Sequence, residues 1–226
     1  MVDLLAVVPA YNAASSLSAV VTGVREQGLP VLVVDDGSTD DTAQVAHAAG
    51  AEVLRHPRNR GKGSALSSGF RWALARGARG VLTLDADSQH APSEIPKFAV
   101  AAEDADLVLG RRRLAWGEIP TSSLVGNHIS TFFISLFCGK RLFDTQSGFR
   151  YYGRRLLTSV PLHDGRFETE TELLMRACLL GLRVRWVPIQ TIYQSGPHLT
   201  HFPRLHDTLR VMRVVLRSPT YPRHAR

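Results

Sequence analysis

The sequence predicts a single α/β domain whose mostly parallel sheet is covered by helices on both faces. Two observations favour this fold class. Short apolar runs alternate with helix-like segments through the first half of the chain, and 226 residues suit one domain. Continuous apolar strands separated by helices are typical of βαβ units with right-handed crossovers. Ligands of such a sheet bind at the carboxyl ends of its strands.

The alternation predicts five strands and four helices before residue 111. The strands are expected at 4–9, 31–35, 52–55, 81–85 and 106–110, and the helices at 15–27, 40–49, 63–76 and 93–102. After Gly110 the alternation ends in an arginine triplet and a stretch rich in Pro, Ser and Gly. We expect one domain over residues 1–226 with two dissimilar halves, 1–110 and 111–226.

Composition and cysteine usage indicate a globular chain from a reducing compartment. The sequence is 44% hydrophobic and 21% charged, which argues against a disordered or fibrous class. Its two cysteines, Cys138 and Cys178, lie far apart along the chain and outside any metal-type cluster. We find neither a secretory leader nor an apolar run of the roughly 20 residues that a membrane span needs. We therefore expect a cytoplasmic protein.

The net charge of +7 is unevenly distributed. Residues 1–110 carry 9 Lys and Arg against 13 Asp and Glu, whereas residues 111–226 carry 18 against 7. The acidic half favours a cation site. The basic half favours an anionic acceptor, a nucleic acid or an anionic membrane surface, although a solvated basic face has the same composition. No helix-turn-helix, zinc or RNP pattern supports specific nucleic-acid recognition.

Carboxylates follow two of the predicted strands. Asp35 and Asp36 end one strand and repel each other unless they accept hydrogen bonds from donors such as base N–H or ribose hydroxyl groups. Asp85 and Asp87 follow another strand, and Gln89 adds a neutral oxygen. Alternate oxygen ligands of this kind suit a hard cation such as Mg²⁺ or Mn²⁺, whereas an isolated Asp-x-Asp is more often a solvated loop.

The glycine turn around Lys62 offers a positive charge where a helix begins. It is not a phosphate loop of the Walker type, because Gly63 stands where Ser or Thr is needed, and Leu66 replaces the third glycine of a dinucleotide fingerprint. Such a turn can nevertheless approach a nucleotide closely.

Two later segments are amphipathic at helical spacing. The first has an apolar face for which core packing is the default interpretation, and it comprises Val125, Ile129, Phe132, Phe133, Leu136 and Phe137. The second spans residues 205–217. It has apolar residues on one side and Arg210, Arg213 and Arg217 on the other. That pattern is typical of an interfacial helix, and packing on the sheet would give the same periodicity.

Five ordered motifs together resemble family 2 glycosyltransferases, in particular the polyprenyl-phosphate (dolichol-phosphate) mannose or glucose synthase branch. The motifs are VVPAYN at 7–12, VDDGSTD at 34–40, NRGKG at 59–63, LDADSQH at 84–90 and DTQSGFR at 144–150. The resemblance implies a GT-A fold, an NDP-sugar donor, a Mg²⁺ or Mn²⁺ cofactor and an inverting transfer. It makes residues 1–110 the nucleotide-sugar and metal half, and residues 111–226 the acceptor half with a basic amphipathic helix at its C-terminal end.

The resemblance also implies roles for individual residues. The nucleoside would be held by Pro9, Tyr11, Asp35 and Asp36, with Lys62 beside the donor. The metal and diphosphate would be held by Asp85, Asp87 and Gln89. The acceptor phosphate would meet Arg111 or Arg112, and Arg150 would be a second anion contact.

The chain departs from the family near its C-terminal end. Relatives often place Ser-Lys after a glycine near the donor phosphates, whereas this chain has no lysine at 195–202, which leaves His201 or Arg204 as substitutes. Glu168, Glu170 and Glu172 fit the family's acidic helix start, and they equally suit the dipole of any helix N-terminus.

We therefore expect an enzyme that moves a hexose from an NDP-sugar to a polyprenyl phosphate, peripherally at the cytoplasmic membrane face. A phosphate acceptor needs no general base, because its second pKa is about 6. One alternative is transfer to a hydroxyl of a lipid, glycan or small metabolite, for which Asp144 is the candidate base. Another is a non-catalytic scaffold that binds nucleotide-sugar.

Overall fold

The computed structural model describes residues 4–112, 121–162 and 168–190, with the side chains of 121–126 and 168 excepted. The strands are β1 Leu4–Ala10, β2 Val31–Asp35, β3 Glu52–Arg55, β4 Gly80–Thr83, β5 Leu107–Arg112, β6 Arg150–Gly153 and β7 Val184–Ile189. The helices are α1 Ala14–Glu26, α2 Thr42–Ala48, α3 Lys62–Ala75, α4 Ile95–Ala102, α5 Thr121–Cys138, α6 Arg154–Ser159 and α7 Glu168–Leu179, and a short 3-10 helix spans Pro92–Glu94.

All seven strands belong to one sheet in the order β3-β2-β1-β4-β6-β5-β7. Only β6 runs antiparallel to its neighbours β4 and β5, whereas β1 pairs in parallel with β2 and β4, and β5 with β7. The six parallel strands therefore end at one edge, and β6 begins there. The mostly parallel sheet predicted from the sequence is confirmed.

Alternate residues of each central strand pack against helices on opposite faces. Leu5 and Val7 of β1 belong to a buried cluster that includes residues of α3, α5 and α7. Ala6 and Val8 belong to a second cluster that includes residues of α1, α2 and α4. Because successive side chains of a strand point to opposite faces, an unbroken apolar run is buried on both sides. The helices cover both faces, as predicted.

The expectation for the apolar face of α5 is wrong for four of its residues. Ile134 is fully buried and Phe137 packs against the core. In contrast, Ile129 is 41% exposed, Phe132 63%, Phe133 36% and Leu136 68%. Within the described ranges, no helix combines the length and apolarity needed to cross a bilayer. The predicted amphipathic segment at 205–217 lies outside the described residues.

Candidate active site

The acidic turn after β2 is held by protein donors. Asp36 is 3% exposed, its Oδ1 lies 2.6 Å from His56 Nδ1, and its Oδ2 accepts N–H groups from Arg60 at 3.0 Å and Gly61 at 2.6 Å. The backbone of the glycine turn therefore supplies the donors that the sequence analysis assigned to a nucleoside. Asp36 shapes the turn before Lys62 through these contacts, and its expected role as a nucleoside contact stays a prediction.

Asp35, at the same turn, has one carboxylate oxygen that accepts a hydrogen bond within the described residues and one that does not. Its Oδ1 accepts the Ser38 N–H at 2.9 Å. Its Oδ2 lies 3.1 Å from Arg55 Nε, but it makes no hydrogen bond to the residues that the structure describes. Asp35 is 0% exposed and the Arg55 charge compensates its Oδ2, so its expected nucleoside contact stays a prediction.

Pro9 and Tyr11 lie at the carboxyl end of β1. Pro9 is buried in the strand, beyond Val7, where the pairing with β4 ends. A proline is tolerated there because its missing N–H leaves no sheet bond unmade. Tyr11 follows the strand and is 48% exposed. Its ring is thus accessible at the edge of the sheet where the parallel strands end, which we call the ligand-binding edge. Pro9 shapes the end of β1.

Asp85 lies between two cationic or ionisable groups just beyond β4. Its Oδ1 is 2.6 Å from Lys62 Nζ, and its Oδ2 is 3.6 Å from His90 Nε2. Burial would raise the pKa of Asp85, but the Lys62 charge and the His90 contact hold it well below its usual range. Lys62 also reaches Glu170 of α7, with Nζ 3.1 Å from Oε2. These contacts bring three separate elements to one centre.

Gly148 supports Asp85 from the opposite side. A Cβ added at Gly148 would lie 2.1 Å from Asp85 Oδ2, so no other residue fits without displacing the carboxylate. The Gly148 carbonyl also accepts the Thr83 hydroxyl at 3.0 Å. The motif at 144–150 thus packs directly against the carboxylate centre. The role of Gly148 within this motif is visible only in the structure.

Asp87 lies two residues beyond Asp85 on the same loop. Its Oδ1 accepts the N–H of Gln89 at 3.0 Å, and Ser88 between them has a φ of 60°. Burial and the neighbouring Asp85 charge both raise the pKa of Asp87. The described residues contain no cluster of three His, Cys, Asp or Glu side chains suited to a metal. Two carboxylates still fit a Mg²⁺-type ion, which commonly completes its shell with waters and substrate phosphates.

Two arginines stand at the carboxyl end of β5. Arg112 donates from Nε to Asp144 Oδ2 at 2.6 Å and from Nη2 to Oδ1 at 2.9 Å. Arg111 is exposed and places its guanidinium 4.3 Å from the centre of the Phe143 ring. Both arginines lie at the ligand-binding edge, and Arg111 is the more accessible of the two.

Asp144 is closely surrounded by donors. Besides Arg112, it accepts a hydrogen bond from the Asn127 amide at 3.1 Å and is 6% exposed. Burial would raise the pKa of Asp144, but the hydrogen bonds and charge of Arg112 keep it below its ordinary value. These contacts argue against the general-base role considered for Asp144, since its oxygens are occupied and its carboxylate is a weaker base than usual.

Arg150 lies in the interior of the protein, where backbone carbonyls surround its guanidinium. The residue is 1% exposed, and its guanidinium donates to the carbonyls of Ser147 at 2.6 Å, Glu170 at 2.9 Å and Thr145 at 2.8 Å. Arg150 therefore holds the loop before β6 against α7, and these contacts argue against the anion-contact role expected for it.

Several candidate residues predicted from the sequence fall outside the described ranges. His201 and Arg204 are among them, as is the side chain of Glu168. Glu170 and His90 also belong to the centre. His90 closes the motif at 84–90, and Glu170 belongs to the acidic helix start, so each had a signal in the sequence but neither was expected to contact Asp85 or Lys62.

Comparisons with known proteins identify the family of the chain. Residues 5–160 match the model of "Glycosyl transferase family 2". An undecaprenyl-phosphate mannosyltransferase of Micrococcus luteus is 32% identical over 200 residues, covering 82% of each chain. A UDP-N-acetylglucosamine–dolichyl-phosphate N-acetylglucosaminyltransferase of Methanococcus voltae is 30% identical over 212 residues, covering 83% of this chain and 84% of its own.

A solved structure extends the likeness to the fold. It is the glucosyl-3-phosphoglycerate synthase of Mycobacterium tuberculosis in complex with Mn²⁺, UDP and phosphoglyceric acid. The TM-score is 0.74 at 23% identity, covering 97% of this chain and 79% of the other. The GT-A fold implied by the resemblance is thereby confirmed. The chain therefore belongs to glycosyl transferase family 2, and it is an enzyme that moves a sugar from a nucleoside diphosphate donor.

Proposed function

We propose that this enzyme transfers a hexose, with inversion, from an NDP-sugar to the phosphate of a polyprenyl phosphate. The observation that carries the proposal is the placement of Asp85 and Asp87 after β4 and of Arg111 and Arg112 at the end of β5. One strand, β6, lies between them, so the two groups are about 10 Å apart across the sheet edge. A cation-bound diphosphate and an anionic acceptor can therefore be neighbours.

The relatives support this acceptor class. The Micrococcus luteus and Methanococcus voltae enzymes are named for different sugars, mannose and N-acetylglucosamine, but both are named for a polyprenyl-type phosphate acceptor. The shared acceptor chemistry is thus better supported than any particular sugar. The mycobacterial synthase is described with UDP and Mn²⁺, which supports a nucleotide donor and a divalent cation here.

Asp85 and Asp87 would hold the cation, with Gln89 as a further oxygen ligand. When bound, Mg²⁺ or Mn²⁺ would neutralise the negative charge that develops on the departing diphosphate. Burial and, in addition, the Asp85 charge raise the pKa of Asp87, and a cation held by both carboxylates would relieve the repulsion between these like charges. Tyr11 and Asp35 would orient the nucleoside, and Lys62 would face the diphosphate.

Arg111 and Arg112 would orient the acceptor phosphate toward the anomeric carbon. A phosphate monoester with a second pKa of about 6 is largely dianionic near neutral pH, so it attacks without a general base. This fits the occupied state of Asp144, whose oxygens bind Arg112 and Asn127. A hydroxyl acceptor would need a base that Asp144 is poorly placed to provide.

The exposed face of α5 would contact the membrane that holds the lipid acceptor. Its large apolar side chains are Ile129, Phe132, Phe133 and Leu136. Lys140 and Arg141 follow the helix directly and are exposed, which suits anionic headgroups. We place the enzyme peripherally on the cytoplasmic face of the membrane.

A screen of labelled NDP-sugars against polyprenyl phosphate and the matching polyprenol, with and without chelator, tests this function. We expect a labelled lipid only with the phosphate acceptor and only with Mg²⁺ or Mn²⁺. Asp87→Asn should lower kcat/KM by about 100-fold. Asp104→Asn is the matched control, because Asp104 is an exposed partner of Arg185 remote from the site. Transfer to the polyprenol alone, or equal activity of the two variants, would overturn the proposal.

A further inference from the structure

Lys62 is shared between two carboxylates that come from different elements. Its Nζ lies 2.6 Å from Asp85 Oδ1, after β4, and 3.1 Å from Glu170 Oε2, in the first turn of α7. The Lys62 side chain is 20% exposed and that of Asp85 27%, so solvent reaches part of this pair. A single cation therefore has two alternative anionic partners within reach.

Glu170 has unused acceptor capacity. It is 8% exposed, between the buried Thr169 and Thr171. Its Oε1 is buried but makes no hydrogen bond to the described part of the chain, and it lies 3.8 Å from Arg150 Nε. A carboxylate oxygen accepts about two hydrogen bonds, so this oxygen can take a further N–H from an ammonium group. The role of Glu170 is otherwise unexplained by the proposed chemistry.

We propose that Glu170 is a positioning residue that retains Lys62 when a divalent cation binds Asp85. The inference rests on the proposed function, in which Asp85 and Asp87 hold that cation. A cation and an ammonium repel each other and compete for Asp85 Oδ1, so Lys62 has to give up this oxygen. Glu170 then holds the ammonium through both of its oxygens, beside the diphosphate of the donor. Without Glu170, Asp85 is the only carboxylate among the described residues within 4 Å of the Lys62 ammonium, so Lys62 competes more strongly with the cation for it.

A double-mutant cycle on Mn²⁺ binding tests this coupling without measuring activity. Mn²⁺ alone is titrated into the full-length protein, and free Mn²⁺ is followed by electron paramagnetic resonance. Glu170→Gln should weaken Mn²⁺ binding by about tenfold when Lys62 is present and by less than about twofold in the Lys62→Met background. Glu172→Gln is the matched control, since Glu172 stands on the same helix and pairs with Arg176. We expect it to leave Mn²⁺ binding unchanged.

Two results would overturn the positioning role. Equal weakening by Glu170→Gln in both backgrounds would mean that Glu170 attracts the cation by its own charge, and no weakening in either would mean that it has no influence. Thermal unfolding of each variant shows whether it is folded, and Lys62→Gln replaces Lys62→Met if the latter is not.

Asp87→Asn separates this inference from the proposed function. If that variant binds Mn²⁺ as the unmodified protein does, the metal site itself is wrong. If Asp87→Asn loses Mn²⁺ binding but Glu170→Gln has the same effect with Lys62 and with Lys62→Met, the metal site stands and only the role of Glu170 fails.

Discussion

At the scale of single residues, the site depends on carboxylates whose oxygens are assigned to different partners. Asp36 binds the backbone of the glycine turn, Asp144 binds Arg112, and Asp85 lies between Lys62 and His90. Adjacent acidic residues in the sequence therefore have unlike roles. Burial and hydrogen bonding distinguish them, and neither can be read from residue type alone.

Gly148→Ala should disable the site through steric displacement of Asp85. Its Cβ would lie 2.1 Å from Asp85 Oδ2, and Gly148 has no positive φ, so backbone strain is not the cause. Because a displacement of about 1 Å can cost 100-fold in rate, we expect kcat/KM to fall by about that factor. Gly77→Ala is the control, since Gly77 has a φ of +78° but open space around its Cβ position. A fall in activity no larger than that of the control would contradict the expectation.

Asp144→Asn should destabilise the fold in a pH-dependent way. Hydrogen bonds and charge from Arg112 depress the folded-state pKa of Asp144 despite its burial, so its contribution is complete above the unfolded pKa of about 4 and is lost as pH falls through the folded value. Breaking this buried pair should cost about 3 kcal/mol at pH 7. Urea unfolding from pH 7 to pH 2.5 should show the difference shrinking below about pH 4. A difference that stays constant over this range would disprove the electrostatic origin.

At the scale of elements, the first half of the chain was predictable throughout, whereas in the second half only α5 and the start of α7 were. β1 to β5 and α1 to α4 follow apolar runs and helical spacing closely, because central strands are buried on both faces. β6 has four residues and begins with Arg150, and β7 contains Arg185 and Pro188. Neither strand has the apolar pattern that marks a buried strand, so tertiary pairing decides both.

The site was predictable in position but not in detail. Asp85, Asp87, Arg111 and Arg112 stand at the ligand-binding edge because the carboxyl ends of parallel strands meet there. Arg150 was expected among the anion contacts, yet it is buried against three carbonyls. The sequence gives no sign of this, since a buried arginine and a ligand-binding one differ only in which acceptors surround them.

The exposed face of α5 should contribute to binding of lipid vesicles. Phe132→Ser with Leu136→Ser removes two side chains that are 63% and 68% exposed, and insertion of apolar side chains strengthens interfacial binding. We expect co-sedimentation with anionic vesicles to fall by about tenfold or more. Val100→Ser is the matched control, because Val100 is 70% exposed on α4. Equal retention of the double variant and the control would refute a membrane role for α5.

At the scale of the whole molecule, the antiparallel β6 joins the two halves of the sheet. It pairs with β4 on one side and β5 on the other, so Arg150 lies between Thr83 and Leu109. The carboxylates after β4 and the arginines of β5 are thus fixed to one rigid sheet. The acidic half and the basic half consequently meet at a common edge, where charges of opposite sign can bind a cation and an anionic acceptor.

This division of charge predicts how salt affects lipid binding. Residues 111–226 carry 18 Lys and Arg against 7 Asp and Glu, which favours anionic vesicles over zwitterionic ones. The Debye length shortens from about 10 Å at 0.1 M to about 3 Å at 1 M salt, so long-range attraction to the surface weakens. We expect co-sedimentation with anionic vesicles to fall steeply over this range. Transfer to a short, water-soluble polyprenyl phosphate should fall much less, because contacts within the site are less screened than surface charges. Vesicle binding that is indifferent to both salt and lipid charge would leave the basic half without its proposed role at the membrane.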